Sequence, residues 1–216
     1  MVATTPEGTL VRGQSQATTR RRGQRGAVLV EAAFVLPVMV LLLLGIIEFG
    51  LLFTSYSTTN GSTRSAARIG ATHYSQAGLS VPAQNNALIQ MSLAAAADLK
   101  ALNNAEPVGM VVYEVNPASS DGAPHGGFPG DAMAGGCTSS CVRFTWSAAD
   151  GTFTRTGGSW TDPDACGVNV DSIGVFVQTR HDYLSGLLGS HRYVGAHTVM
   201  RLEPLPTDQC AGETPG

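Results

Sequence analysis

The longest apolar run of the sequence lies within GAVLVEAAFVLPVMVLLLLGIIEFGLLF, residues 26–53. This stretch is apolar almost throughout, and its only charged residues are Glu31 and Glu48. As a helix, residues 27–53 would be about 40 Å long, against a hydrocarbon core of roughly 30 Å. The sequence therefore predicts a transmembrane helix over residues 27–53, with one carboxylate near each end.

Charged side chains are distributed unevenly around this stretch. Residues 1–26 contain five arginines and one glutamate, whereas residues 54–216 contain eight basic and thirteen acidic side chains. Because an arginine-rich flank stays in the cytoplasm, residues 1–26 are expected to be a disordered cytoplasmic leader and residues 54–216 an exported domain. The acidic domain has no basic stripe with interleaved aromatic residues, which excludes a nucleic-acid partner.

Three interpretations of the apolar stretch differ in how they explain Glu31. A secretory signal peptide requires a cleavage site with small residues, and none follows until the Thr/Ser-rich sequence beyond Phe53. A simple single-pass anchor explains the length and the arginines, but an ionisable group within a membrane segment calls for a function. If the chain were cut after Gly26, Ala27 would become its first residue and Glu31 its fifth.

This third arrangement is similar to the class III signal of type IV pilins and pseudopilins. More closely, residues 26–50 and the following STRSAARIGA, residues 62–71, resemble the TadE-like proteins of tight-adherence (Flp-type) pilus systems. The residues in the family's pattern are Gly26, Glu31, Pro37, Glu48, Phe49 and Gly50. The resemblance implies a processing site at Gly26–Ala27 for a prepilin peptidase, a membrane location, and partners among other pilin-like subunits and the assembly platform.

The resemblance also implies that Glu31, Pro37 and Glu48 act in helix assembly. Glu31 is expected to pair with the new α-amino group of Ala27, in the same or a neighbouring subunit, because an unpaired buried charge costs about 3–5 kcal/mol. Pro37 removes one helical hydrogen bond, so a kink is expected there. Two interpretations of Glu48 remain as alternatives, a position among the lipid headgroups and a role in pairing.

Beyond residue 53 the sequence predicts an α+β exported domain of pilin-like outline. Residues 63–76 are expected to continue the first helix, and Gly61 is the candidate for a break between the two parts. A second helix is predicted from Ser80 to about Asn103–Asn104 by apolar residues at three- and four-residue steps. Short β-branched and aromatic runs then predict an antiparallel sheet, at residues 108–115, 141–146, 151–156, 172–180 and 193–203.

The Gly/Pro-rich interval 116–136 is predicted to be a flexible surface loop. The four cysteines, Cys137, Cys141, Cys166 and Cys210, all lie in the exported part, where two disulfides are expected in one of three connectivities. Zinc is the alternative, although the spacing lacks the paired C-x2-C of structural zinc sites. We expect Cys141 to pair with Cys166.

No catalytic, cofactor-binding or metal site is predicted. His181–Asp182 is the one His–acid pair, but no G-x-S-x-G elbow accompanies it, and the histidines lack an H-E-x-x-H spacing. The sequence thus favours a structural protein, a minor pilin-like component with its N-terminus in the cytoplasm and its C-terminal domain outside. The alternatives are a single-pass anchored extracellular binding domain without a pilus role, and an exported hydrolase centred on His181 and Asp182.

Overall fold

The computed structural model describes residues 20–75, 80–166, 169–186, 188–206 and 208–210, except for the side chains of residues 20–25. Most of the leader predicted over residues 1–26 lies outside the described residues. The chain divides into two compact units, Met1–Gly45 and Ile46–Gly216.

The first helix, α1, spans Arg20–Ile69 and includes Pro37. A π-helical turn, Gly70–Tyr74, follows it directly. The break expected at Gly61 is wrong, because the helix continues through this residue. A glycine in a helix interior costs only about 1 kcal/mol, and the burial of Ala66 and Ala67 in the next turn offsets that cost.

The second helix, α2, spans Val81–Leu99, with a proline in its first turn. It ends earlier than Asn103–Asn104, because the chain turns where the Leu102 N–H bonds to the Leu99 carbonyl. Five strands follow: β1 (Ala105–Glu114), β2 (Cys141–Ser147), β3 (Thr152–Ser159), β4 (Ser172–Asp182) and β5 (His191–Arg201). They form one sheet in the order β3-β2-β1-β4-β5, and all its neighbouring strands are antiparallel. The predicted α+β fold is therefore confirmed.

Both faces of the central strands are covered. Alternate residues of β1 and β4, such as Met110 and Val175, contact a core formed with the two helices. The residues between them, such as Tyr113 and Phe176, face the opposite side and pack with Phe128 of the 116–136 interval. This interval has a short 3₁₀ turn, Asp131–Met133, and its flexibility stays a prediction.

Two disulfides join the four cysteines, Cys137–Cys141 and Cys166–Cys210. The expected Cys141–Cys166 pair is wrong. Cys141 begins β2 and meets Cys137 across the turn that leads into this strand. Cys166 lies before β4, where the chain after β5 returns and the Leu205 N–H bonds to the Ala165 carbonyl, bringing Cys210 close.

Candidate functional site

The apolar part of α1 has no packing partner in the described structure. Its large apolar side chains from Val28 to Ile47 are all exposed, except for Leu44, which is half-buried. By length and composition the helix is able to cross a membrane, and none of its most apolar window is buried. These findings are consistent with a single-pass membrane anchor.

The predicted processing site lies at the start of this bare segment. Gly26 and Ala27 are exposed residues of α1, and a Cβ added to Gly26 would have no atom within 4 Å. Glu31 follows Ala27 by one helical turn, is also exposed, and has no hydrogen-bond or ion-pair partner in the described part of the chain. Side chains four residues apart on a helix are neighbours, so Glu31 is within reach of the backbone amino group that a cut after Gly26 would create.

Glu48, in contrast, is buried, with 3% of its surface exposed. Its Oε1 accepts a hydrogen bond of 2.5 Å from the backbone N–H of Ser185, in the loop between β4 and β5. Its Oε2 is buried without a hydrogen-bond partner among the described residues. The structure thus places Glu48 in contact with the α+β domain and pairs it with the backbone of that loop.

A row of hydroxyl side chains continues along the same face of α1 and contacts strands β4 and β5. We call it the hydroxyl ladder, which consists of the pairs Ser55–His181, Thr59–Thr179 and Thr63–Thr198. The paired atoms are 3.0, 3.0 and 2.8 Å apart, respectively. Because residue numbers rise along α1 as they fall along β4, the first two pairs set α1 antiparallel to β4.

The hydroxyl ladder is absent from the sequence-based predictions, although the sequence contains its signal. Ser55, Thr59 and Thr63 recur at four-residue steps, the spacing of one helix face. Each hydroxyl also bonds to a carbonyl of α1, at Leu51, Ser55 and Asn60, respectively. Small polar side chains therefore allow close packing against the sheet while their polar groups remain bonded.

His181 is a buried member of this ladder. It has no exposed surface, its Nδ1 contacts Ser55, and its Nε2 is buried without a hydrogen-bond partner in the described structure. Asp182 instead forms an ion pair with Arg180, 3.2 Å from Oδ1 to Nε. This bond and the negative charge of Asp182 raise the pKa of Arg180. The two residues point to different partners, which gives the hydrolase interpretation no support.

Comparison with known protein families gives a match to the first helix. The family described as TadE-like protein matches residues 26–68, which cover the bare apolar segment and the hydroxyl ladder residues of α1. No curated protein and no solved structure matches the chain. The resemblance found in the sequence is confirmed over this stretch, where residues 26–68 are similar to the TadE-like protein family.

Proposed function

We propose that this chain is a minor pilin-like structural component of a tight-adherence (Flp-type) pilus system. The observation that supports the proposal is the match of residues 26–68 to the TadE-like family together with the bare apolar surface of the same helix. A long apolar helix with nothing packed on it requires lipid or the helices of other subunits, because exposed apolar patches of this size do not remain in water.

In this proposal the chain is inserted once in the membrane. The arginine-rich leader stays in the cytoplasm and the domain of residues 54–216 lies outside. A prepilin peptidase cuts between Gly26 and Ala27, and the apolar helix remains attached to the domain. The helix then associates with other pilin-like subunits or with the assembly platform.

Glu31 acts in this association as the partner of the Ala27 amino group. In a low-dielectric helix bundle an ammonium group and a carboxylate stabilise each other, whereas either one alone is strongly destabilising. The exposed position of Glu31 leaves it accessible to the amino group of its own or of a neighbouring subunit.

N-terminal sequencing of the membrane-purified protein tests the processing step. We expect a mature chain that begins at Ala27. A Gly26→Val variant should remain uncut, while Gly45→Val, at another glycine of α1 with nothing within 4 Å of its Cβ position, should be cut like the native chain. An intact Met1 or a start beyond Phe53 in the native chain would contradict the processing step.

Co-purification after crosslinking in cells tests the association. Pilin subunits should be recovered with the native chain and with Glu203→Gln, an exposed glutamate after β5, but much less with Glu31→Gln. Equal recovery with both variants would favour an anchored binding domain in which Glu31 has no assembly role.

A further inference from the structure

Five large apolar or aromatic side chains are exposed at the end of the Ile46–Gly216 unit where α1 enters it. They lie on α1 and in the loop between β4 and β5, and we call them the collar: Phe49, Phe53, Tyr56, Leu184 and Leu188. Their exposed fractions range from 49% to 69%. The bond between Glu48 and the Ser185 N–H holds the two parts of the collar next to each other.

An open groove of about 670 Å³ lies within this region. Phe49, Phe53 and Tyr56 line it from α1, and Arg192 and Tyr193 line it from β5. Tyr56, Tyr193 and Arg192 each combine an apolar body with a polar end. Such residues are enriched at the boundary between hydrocarbon and headgroups.

The position of the collar along the chain indicates its depth in the bilayer. Residues 27–47 are the bare part of α1, and as a helix they span about 31 Å, close to the roughly 30 Å of hydrocarbon in a bilayer. Glu48, the next residue, is the first buried side chain among residues 26–69 of the helix. A membrane span that ends at Ile47, earlier than the predicted Phe53, therefore places Phe49 and the loop residue Ser185, which bonds to Glu48, where the hydrocarbon ends.

The charges around the collar are compatible with a phosphate-bearing surface. Arg192 is exposed and lines the groove. The nearby carboxylates Glu106 and Asp182 are both within ion-pair distance of Arg180, so their negative charge is partly balanced.

We propose that the collar docks the exported domain onto the outer face of the membrane that anchors it. Leu184 and Leu188 insert at headgroup depth beside Phe49 and Phe53, and Arg192 bonds to lipid phosphate. Because the collar is tethered directly to the membrane helix, its effective concentration at the lipid surface is high and docking needs few contacts. This inference rests on the membrane anchor but not on the pilus role.

Spin labels on the full-length chain in phosphatidylglycerol-containing vesicles test this proposal. All four native cysteines are in disulfides, so a single introduced cysteine is the only free thiol. The variants are Leu188→Cys and Leu184→Cys in the collar and Leu41→Cys in the bare helix. The matched control is Val81→Cys, an exposed apolar residue at the start of α2. The helix leads from there to β1, whose first residue pairs with His181, so Val81 lies at the opposite end of the domain.

The labels in the collar should show a several-fold lower collision rate with an aqueous nickel chelate than the label at Val81, and a higher rate with oxygen, which dissolves in lipid. The label at Leu41 should lie deeper than both. If the labels at Leu184 and Leu188 collide with nickel as often as the label at Val81, the docking proposal is wrong. That result would not contradict the membrane anchor. Labels protected from both reagents would show that a protein covers the collar, which also overturns the proposal. A water-exposed label at Leu41 would overturn the anchor and the docking together.

Discussion

Thr59 Oγ1 of α1 lies 3.0 Å from Thr179 Oγ1 of β4, and neither residue has any exposed surface. Thr59 also bonds to the Ser55 carbonyl at 2.7 Å, which uses its one hydroxyl proton. Thr179 must therefore be the donor between the two threonines, and Thr59 the acceptor. Because of this direction, we expect the two hydroxyl groups to contribute differently to stability.

Thr59→Val should destabilise the protein more than Thr179→Val. The first change leaves the Thr179 hydroxyl buried without its acceptor, at a cost of roughly 1–3 kcal/mol, whereas after the second change Thr59 still bonds to the Ser55 carbonyl. The free energy of unfolding of the full-length chain in detergent measures this difference. Thr154→Val, at an exposed site of β3, is the control, and the double variant should cost less than the sum of the single changes. Equal losses for the two single variants would contradict the assigned direction.

Gly174→Ala in β4 should destabilise the domain by roughly 1–3 kcal/mol. A Cβ at this position would overlap the ring of Tyr113 in the neighbouring strand, and a rigid aromatic ring cannot move aside as a flexible side chain can. Gly157→Ala in β3 is the matched control, because nothing lies within 4 Å of its Cβ position. Thermal unfolding of both variants should show a lower midpoint only for Gly174→Ala.

The phenol of Tyr74 should make stability depend on alkaline pH. Burial raises the pKa of Tyr74 from 10.0 to about 12, and its hydroxyl donates to the Trp160 carbonyl at 2.5 Å. Because the folded pKa is raised, the contribution of this group is complete below pH 10 and is lost as the pH rises from about 10 to about 12. Tyr74→Phe should therefore lower stability at neutral pH but flatten its decline over that range. The exposed Tyr56→Phe should leave the decline as it is.

The two disulfides should contribute unequally to stability. Cys166 and Cys210 are 44 residues apart, whereas Cys137 and Cys141 are four apart. In the chain-entropy model the longer loop corresponds to roughly 4 kcal/mol and the shorter to about 2 kcal/mol. Urea unfolding of the paired serine variants, C166S/C210S and C137S/C141S, should show the larger loss for the first. A larger loss for the second would mean that local packing outweighs loop closure.

Much of this fold could be predicted from local patterns. Apolar residues at helical spacing identify the buried face of α2, where Leu88, Met91, Ala95 and Leu99 are all buried. All five strands occur close to the predicted positions. Such patterns predict helices and strands because each of these elements buries one face, and the buried residues therefore recur at a regular spacing in the sequence.

The remaining features depend on contacts that no local pattern specifies. The disulfide pairs depend on where the chain returns after β5, which lies far from Cys166 in sequence. The burial of the Ser/Thr-rich part of α1 depends on its contacts with strands β4 and β5, which are more than a hundred residues away in sequence. His181 follows Ile173 by an even number of residues in β4, so the alternation of the strand could have placed it on the buried face.

The pilus role of the N-terminal helix is tested by counting surface pili on cells in which the gene has been deleted and then restored. We expect that deletion removes or strongly reduces the pili and that the native chain and Glu203→Gln restore them. Glu31→Gln should not restore them, although it is present in the membrane at the native level. Pili that persist after the deletion, or that Glu31→Gln restores in full, would show that the helix has no such role.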